Sequence, residues 1–344
     1  MDTMSSQTTE IETAEAGRCS SQNTPLFENP FSMEDLLVFD DVTMQSILHC
    51  GNFGLTLTDM AASLHGVSEV VVERVTHNVP HEQWTLFLRA LQHPLTEKQI
   101  YAVQRQVLDA LFWELVYWKT PELYEELTEG EQLHPGIFQQ LEPDVRNKVV
   151  LDAGAGSGRA SFECVRYGAI LVYAVEPSLG LLHILQEKLV ASSLSKCILP
   201  LRGSFEHIPL ADKSVDTTLS CSAFTAEPEQ GGEPGLAELQ RVTKPGGKIV
   251  IIWPRREDYE WLRVHGFHYV ALPLHEEMII RFRSWQSAMR CARLFYAHNA
   301  AVISYLQAQR KPELPFSVLG VNPPRDYCWL TVNGPESPRH SCGG

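Results

Sequence analysis

The sequence predicts an α/β fold with a mostly parallel sheet, preceded by an all-helical region. Three observations carry this. From about Lys148 onward, short apolar runs alternate with segments of helical periodicity, the order that a parallel sheet requires. One such run, 148–151, opens directly into the glycine-rich turn Asp152-Ala153-Gly154-Ala155-Gly156-Ser157-Gly158. Before it, from Phe31 to about Trp118, apolar residues recur only at helical spacing.

The elements follow in order. Residues 1–28 are rich in Ser, Thr, Glu and Gln and are expected to be disordered, as is the tail 334–344. A helical domain is expected over 29–120. Asp41 or Thr43 can cap a helix over 44–50, and Thr58 one over 59–64 that Gly66 stops. Ser68 opens the next helix, and Pro80 another that runs through Leu91. Thr96 opens a long helix over 97–118, with Ile100, Val103, Val107, Leu108, Leu111 and Leu115 on one face. Thr120-Pro121 breaks it, and a second domain is expected over 121–333. Its strands are predicted at 149–152, 170–175, 198–201, 215–220 and 248–253, with later ones at 268–274 and 327–332. A single long helix is predicted over 277–309.

Composition narrows the function. The chain has 344 residues and a formal net charge of -14, from 42 acids against 28 basic residues. That balance argues against broad binding to a phosphate backbone, and no nucleic-acid partner is expected. The eight cysteines are scattered without a CxxC pair or a cysteine–histidine ligand spacing, so neither a disulfide framework nor a metal site is expected. The first residues lack an apolar signal core, and no apolar run is long enough to span a bilayer. A cytoplasmic protein without membrane insertion is the expectation.

Glycines at a strand-to-helix turn permit backbone angles closed to other residues and let the main chain approach a ligand. In an open parallel sheet, ligands bind beyond the carboxyl ends of the strands. Three glycines alone are a weak signal, shared by many nucleotide-binding folds. Their neighbours sharpen it. Asp152 precedes the glycines. The second strand ends in Glu176, placed to take two ribose hydroxyls. Gly203-Ser204-Phe205-Glu206-His207-Ile208-Pro209-Leu210 and Thr243-Lys244-Pro245-Gly246-Gly247 follow in turn.

This ordered set resembles the class I S-adenosylmethionine-dependent methyltransferases, closest to the branch that includes the ubiquinone and menaquinone enzymes. The resemblance covers about Leu133 to Val332. It implies a Rossmann-like, mostly parallel sheet and S-adenosyl-L-methionine as cofactor. In that family the glycine turn holds the methionine part, which gives that role to Asp152, Gly154, Ala155, Gly156 and Gly158. Glu176, followed by Pro177, takes the ribose. Ser204 and Phe205 flank the adenine, and Ser220 completes the set. Many members have an aspartate where this chain has Ser204, which leaves the adenine amino group to a backbone group or to the Ser204 hydroxyl. A nicotinamide-dependent dehydrogenase is the rival reading. However, the 203–210 and 245–247 turns are not features of its fingerprint.

Methyl transfer from a sulfonium is an in-line displacement in which the protein mainly aligns the acceptor. No residue stands out as a catalytic base. Tyr124, His134 and Phe224 are candidates to line the acceptor site. Tyr124 packed on its own helix and His134 as a turn residue before Pro135 are the alternatives.

The segment from Phe31 to about Leu111 resembles the C-terminal domain of the flagellar motor switch protein FliG. The matches include 33–41, Gln45-Ser46-Ile47-Leu48, 62–69, 73–80 and 102–108. The charged line that meets the stator in that protein is replaced over 68–89 by Val70, Val71, Val72, Trp84, Leu86 and Phe87. A helical domain packed on its own α/β domain or on an apolar protein partner is the implication. Two functions are therefore weighed. One is a methyltransferase acting on a small-molecule acceptor. The other is a scaffold that keeps the fold and docks a partner through its helical half.

Overall fold

The computed structural model describes residues 29–49 and 52–333. The segments 1–28 and 334–344, along with Cys50 at the end of the 44–50 helix expectation, lie outside the described residues.

Among the described residues nine strands form two sheets: β1 (Val149–Ala153), β2 (Leu171–Glu176), β3 (Ile198–Arg202), β4 (Val215–Cys221), β5 (Thr243–Ile252), β6 (His268–Ala271), β7 (Ile279–Arg281), β8 (Glu313–Pro315) and β9 (Asp326–Thr331). Seven make the central sheet, in the order β3-β2-β1-β4-β5-β9-β6. β1 pairs in parallel with β2 and β4, β2 with β3, and β4 with β5. β9 runs antiparallel to both β5 and β6. The strand order reverses between β1 and β4, so the crevice that binds ligands in such sheets opens above these two strands. Two apolar layers cover the sheet. One contains Val150, Val172, Leu185, Leu219 and Val250, and the other Leu151, Val175, Leu239, Ile249 and Ile251. Burial on both faces is why these strands read as unbroken apolar runs.

The expected helix over 277–309 is instead three elements. Ile279-Ile280-Arg281 forms β7, which pairs antiparallel with Glu313-Leu314-Pro315 (β8) beyond the segment. Two helices, Trp285–Phe295 and Ala300–Gln309, lie between the two strands. The cause is local. The Ser284 hydroxyl accepts from the Ser287 N–H at 3.1 Å and starts one helix, and the Asn299 side chain accepts from the Ala301 N–H and starts the other. A third apolar cluster joins this strand pair and its helices to Leu127.

The helical region has a core of its own, with Leu36, Phe39, Met44, Met60, Phe87, Leu111 and Leu115 fully buried. Thr56, not Thr58, caps the second α-helix, Leu57–Ser63, through a capping box with Asp59. The expected 97–118 helix is divided at Leu111 (φ -93°, ψ 9°) into Glu97–Ala110 and Phe112–Lys119. The break turns the second piece onto the α/β part. There the Ser178 hydroxyl donates to the Tyr117 carbonyl at 2.9 Å, and Arg202 at the end of β3 pairs with Asp40. The Arg202 guanidinium also lies 5.7 Å from the Trp118 ring. The expected boundary at 120/121 thus separates residues whose neighbours are in contact across it.

Candidate functional site: a cleft above the β1–β4 switch point

β1 delivers Asp152 and the glycine turn to the carboxyl edge of the sheet. Gly156 has a φ of +55°. A Cβ there would meet nothing nearer than the edge of the Tyr124 ring, at 4.0 Å. At Gly158 (φ +95°) a Cβ would stand 2.6 Å from Leu185, so this glycine serves helix packing. The first glycine of the turn, Gly154, donates its N–H to the Val175 carbonyl, as does Ala155, which ties the turn to β2.

Glu176 is buried at the end of β2. One carboxylate oxygen accepts from the Gly156 N–H at 2.9 Å and the other from the Ser178 N–H at 2.9 Å. Burial pushes its carboxyl up to about 7 against those two hydrogen bonds, with the charges of Glu114 and Asp152 adding to the rise. Asp152 is fully buried. Its Oδ2 accepts from the Ser161 hydroxyl at 2.6 Å, and its Oδ1 has no partner. Burial raises its carboxyl to about 6, opposed by the Ser161 hydrogen bonds.

The other residues expected at the site divide. Phe205 lies beside Gly154, where its ring would stand 3.1 Å from a Cβ. Ser204 is fixed in a tight turn by paired backbone hydrogen bonds with His207. Ser220 is buried, and its hydroxyl accepts from the Phe224 N–H at 3.2 Å. Pro177 is exposed between Glu176 and Ser178. Tyr124 meets the glycine turn from the Pro121–Gly130 helix. Phe224 is built into the core against Phe205 and Trp261. His134 accepts the Gly136 N–H on Nδ1 at 3.1 Å, which is the role of a turn residue at a helix start.

The structure adds residues that no motif announced. Arg159, first in the helix after the glycine turn, donates to the Glu131 carbonyl at 3.1 Å and to the Ser222 hydroxyl at 3.3 Å. Its guanidinium lies 5.8 Å from the Trp253 ring. The Tyr296 hydroxyl donates to the Glu131 carboxylate at 3.0 Å. Burial raises the Glu131 carboxyl, opposed by Arg159 and by Tyr296. Tyr117 stands edge-on to Tyr124 at 4.9 Å between ring centres. Their signal was absent because they come from five separate elements. Arg159 alone sat inside a motif, and its run position says nothing of where its side chain points. Together these residues surround the carboxyl edge of β1 and β4, with backbone groups at the Glu176 end and aromatic and charged side chains at the Trp253 and Tyr296 end.

Residues 151–251 match the family model of the methyltransferase domain, an S-adenosylmethionine-dependent class. An uncharacterized methyltransferase of Mycobacterium tuberculosis is 34% identical over 119 residues, which cover 34% of this chain and 44% of that protein. An uncharacterized methyltransferase of Geobacillus kaustophilus is 30% identical over 141 residues, covering 39% of this chain and 63% of its own. This chain therefore spans less than two thirds of the length of these relatives. Among solved structures, an S-adenosylmethionine-dependent methyltransferase from Aquifex aeolicus aligns with 22% identity and a TM-score of 0.36, covering 47% of this chain and 92% of that one.

The cleft fits such a cofactor. Asp152 Oδ1 is a buried acceptor still lacking a donor. Glu176 uses one backbone N–H on each oxygen, and a carboxylate oxygen can accept more than one.

Proposed function

We propose that the chain transfers a methyl group from S-adenosyl-L-methionine to a small-molecule acceptor. The observation that carries this is the arrangement at Gly156. Its N–H is bound to Glu176 while the space before it stays clear as far as Tyr124. The cofactor, once bound, supplies an electrophilic methyl on a sulfonium. The chain does the rest. Asp152, Gly154, Ala155 and Gly156 would hold the methionine part, with Asp152 Oδ1 free to accept from its ammonium, and Gly158 would shape the turn by letting the following helix pack against Leu185. Glu176, with Pro177 behind it, takes the ribose hydroxyls. Ser204, Phe205 and Ser220 bound the nucleoside side.

Tyr124, Trp253 and Tyr296 close the other end and exclude water, and an acceptor of small size suits that enclosure. Arg159 is held between Glu131 and Ser222, and orients the acceptor by its guanidinium. Phe224 backs Phe205 on the nucleoside side, and His134 is left as a turn residue outside the acceptor wall. The Tyr124 hydroxyl is no base, since burial holds its pKa well above the ordinary range, only partly offset by Arg159. The reaction therefore relies on alignment.

The FliG-like reading of residues 31–111 supports a packing domain. Val70, Trp84 and Leu86 stand exposed on it, a surface suited to a protein partner. Calorimetry with S-adenosylmethionine, its demethylated product and NAD tests the cofactor. Binding of NAD alone would overturn the reading. Comparing metabolites of cells with and without the protein, for a gained methyl mass, tests the acceptor class.

A further inference from the structure

The Phe112–Lys119 helix belongs by sequence to the helical region, yet it stands against the Glu176 end of the cleft. Its Tyr117 carbonyl accepts from Ser178, two residues beyond Glu176, at 2.9 Å. Gly180 lies so near that a Cβ there would come within 2.3 Å of the same carbonyl oxygen, so this close approach needs a glycine at 180. The Tyr117 ring meets Tyr124, and Tyr124 meets Gly156. Residues three apart on a helix share a face, so Glu114 lies one turn from Tyr117 on the side toward the cleft.

Glu114 has no hydrogen bond or ion pair among the described residues. Three of the four acids on the next helix are engaged: Glu125 with Lys188, Glu126 with Arg290, and Glu129 with Arg283. Water reaches Glu114, and yet the enclosure around its carboxyl pushes it up to about 7. Its place on the Tyr117 face, without a partner of its own, sets it toward the Glu176 end. An enclosed carboxylate without a donor is costly, and a ligand that brings donors offsets the cost.

We propose that Glu114 is a cofactor-binding residue supplied by the helical region, its carboxylate accepting from hydroxyl or amino hydrogens of the nucleoside opposite Glu176. This rests on the methyltransferase reading. The helical region then completes the cofactor site, and the cofactor in turn holds the two halves together.

The test is calorimetry on the full chain with S-adenosylmethionine and with S-adenosylhomocysteine, which lacks the sulfonium charge. Glu114→Gln should weaken both by about tenfold, the size of one hydrogen bond to a charged group. Equal affinity of wild type and Glu114→Gln overturns the proposal while leaving the methyltransferase reading intact. Loss for S-adenosylmethionine alone also overturns it, because it places Glu114 by the sulfonium. Failure of the wild type to bind either ligand removes both readings. A second measurement needs no variant: amide exchange over 112–119 should slow when S-adenosylhomocysteine is added. Unchanged exchange there, with protection at the glycine turn, counts against Glu114 even if the variant does not fold.

Discussion

The floor and the roof of the cleft are built in different ways. The floor comes from the ends of β1, β2 and β4, and its working groups are largely backbone: the Gly156 N–H, the clear space before it, and two buried carboxylates at fixed strand ends. The roof is made of side chains from residues 117, 124, 253 and 296, brought together by helices that are far apart in sequence. A backbone site tolerates few substitutions at few positions. A side-chain roof spreads its contribution over many residues and can change shape with each one. On the proposed reading, the floor holds the cofactor and the roof selects the acceptor.

The strongest way to break this contrast is at the floor. Gly156→Val places a branched residue at φ +55°, a conformation that costs such a residue about 1–3 kcal/mol, and its methyls fill the clear space toward Tyr124. Cofactor binding should fall below detection by calorimetry while circular dichroism still reports the sheet. A variant that folds and binds normally would take Gly156 out of the site.

Next comes Glu176→Gln, which should weaken cofactor binding by about 1.5–3 kcal/mol through loss of a charged acceptor. The wild-type pH dependence sharpens it. Burial raises the Glu176 carboxyl to about 7, above the ordinary value of about 4.3. A raised carboxylate stabilises the ligand-free fold fully below its unfolded pKa, and that stability is lost as pH rises through about 7. Cofactor binding uses the ionised form and moves the other way. Between about pH 4.3 and 7 the ligand-free melting temperature should fall while affinity rises, and both should level off above about pH 7. Parallel trends in the two quantities would mean that Glu176 does not hold the ligand.

A smaller effect tests the roof. Tyr296→Phe leaves the buried Glu131 carboxylate short of a donor, which costs about 1–3 kcal/mol of stability. Denaturant unfolding should register it, and cofactor affinity should stay within about twofold, since a change of 0.5 kcal/mol is the usual limit for sites without shared partners. Loss of affinity on the same scale as Gly156→Val would erase the division between floor and roof. The smallest effect is expected at the seam. Arg202 and Asp40 are each about a third exposed, and breaking the pair with Arg202→Ala should cost no more than about 1 kcal/mol. A larger loss by denaturant unfolding would show that the Trp118 contact is the real seam.

The α/β order and the five parallel strands were legible because strands buried on both faces leave continuous apolar runs. The glycine turn and Glu176 were legible because backbone demands and strand ends are local. The pairing of Glu131 with Tyr296 was not, since a partner 165 positions away leaves no trace in a residue's own neighbourhood. The 277–309 segment was misread for a related reason. Its Ile279-Ile280 pair is apolar enough for a helix face, and only Leu314 opposite makes it a strand.

The sequence by itself thus determined the sheet, its turn and the carboxylates at its edge, because each follows from a few adjacent residues. Tertiary structure alone decided that the Phe112–Lys119 helix stands against the Glu176 end of the sheet. That outcome depends on Gly180 having no side chain, which lets Tyr117 come close, and on Leu111 breaking the helix at the right place. Neither fact has meaning until the two halves meet.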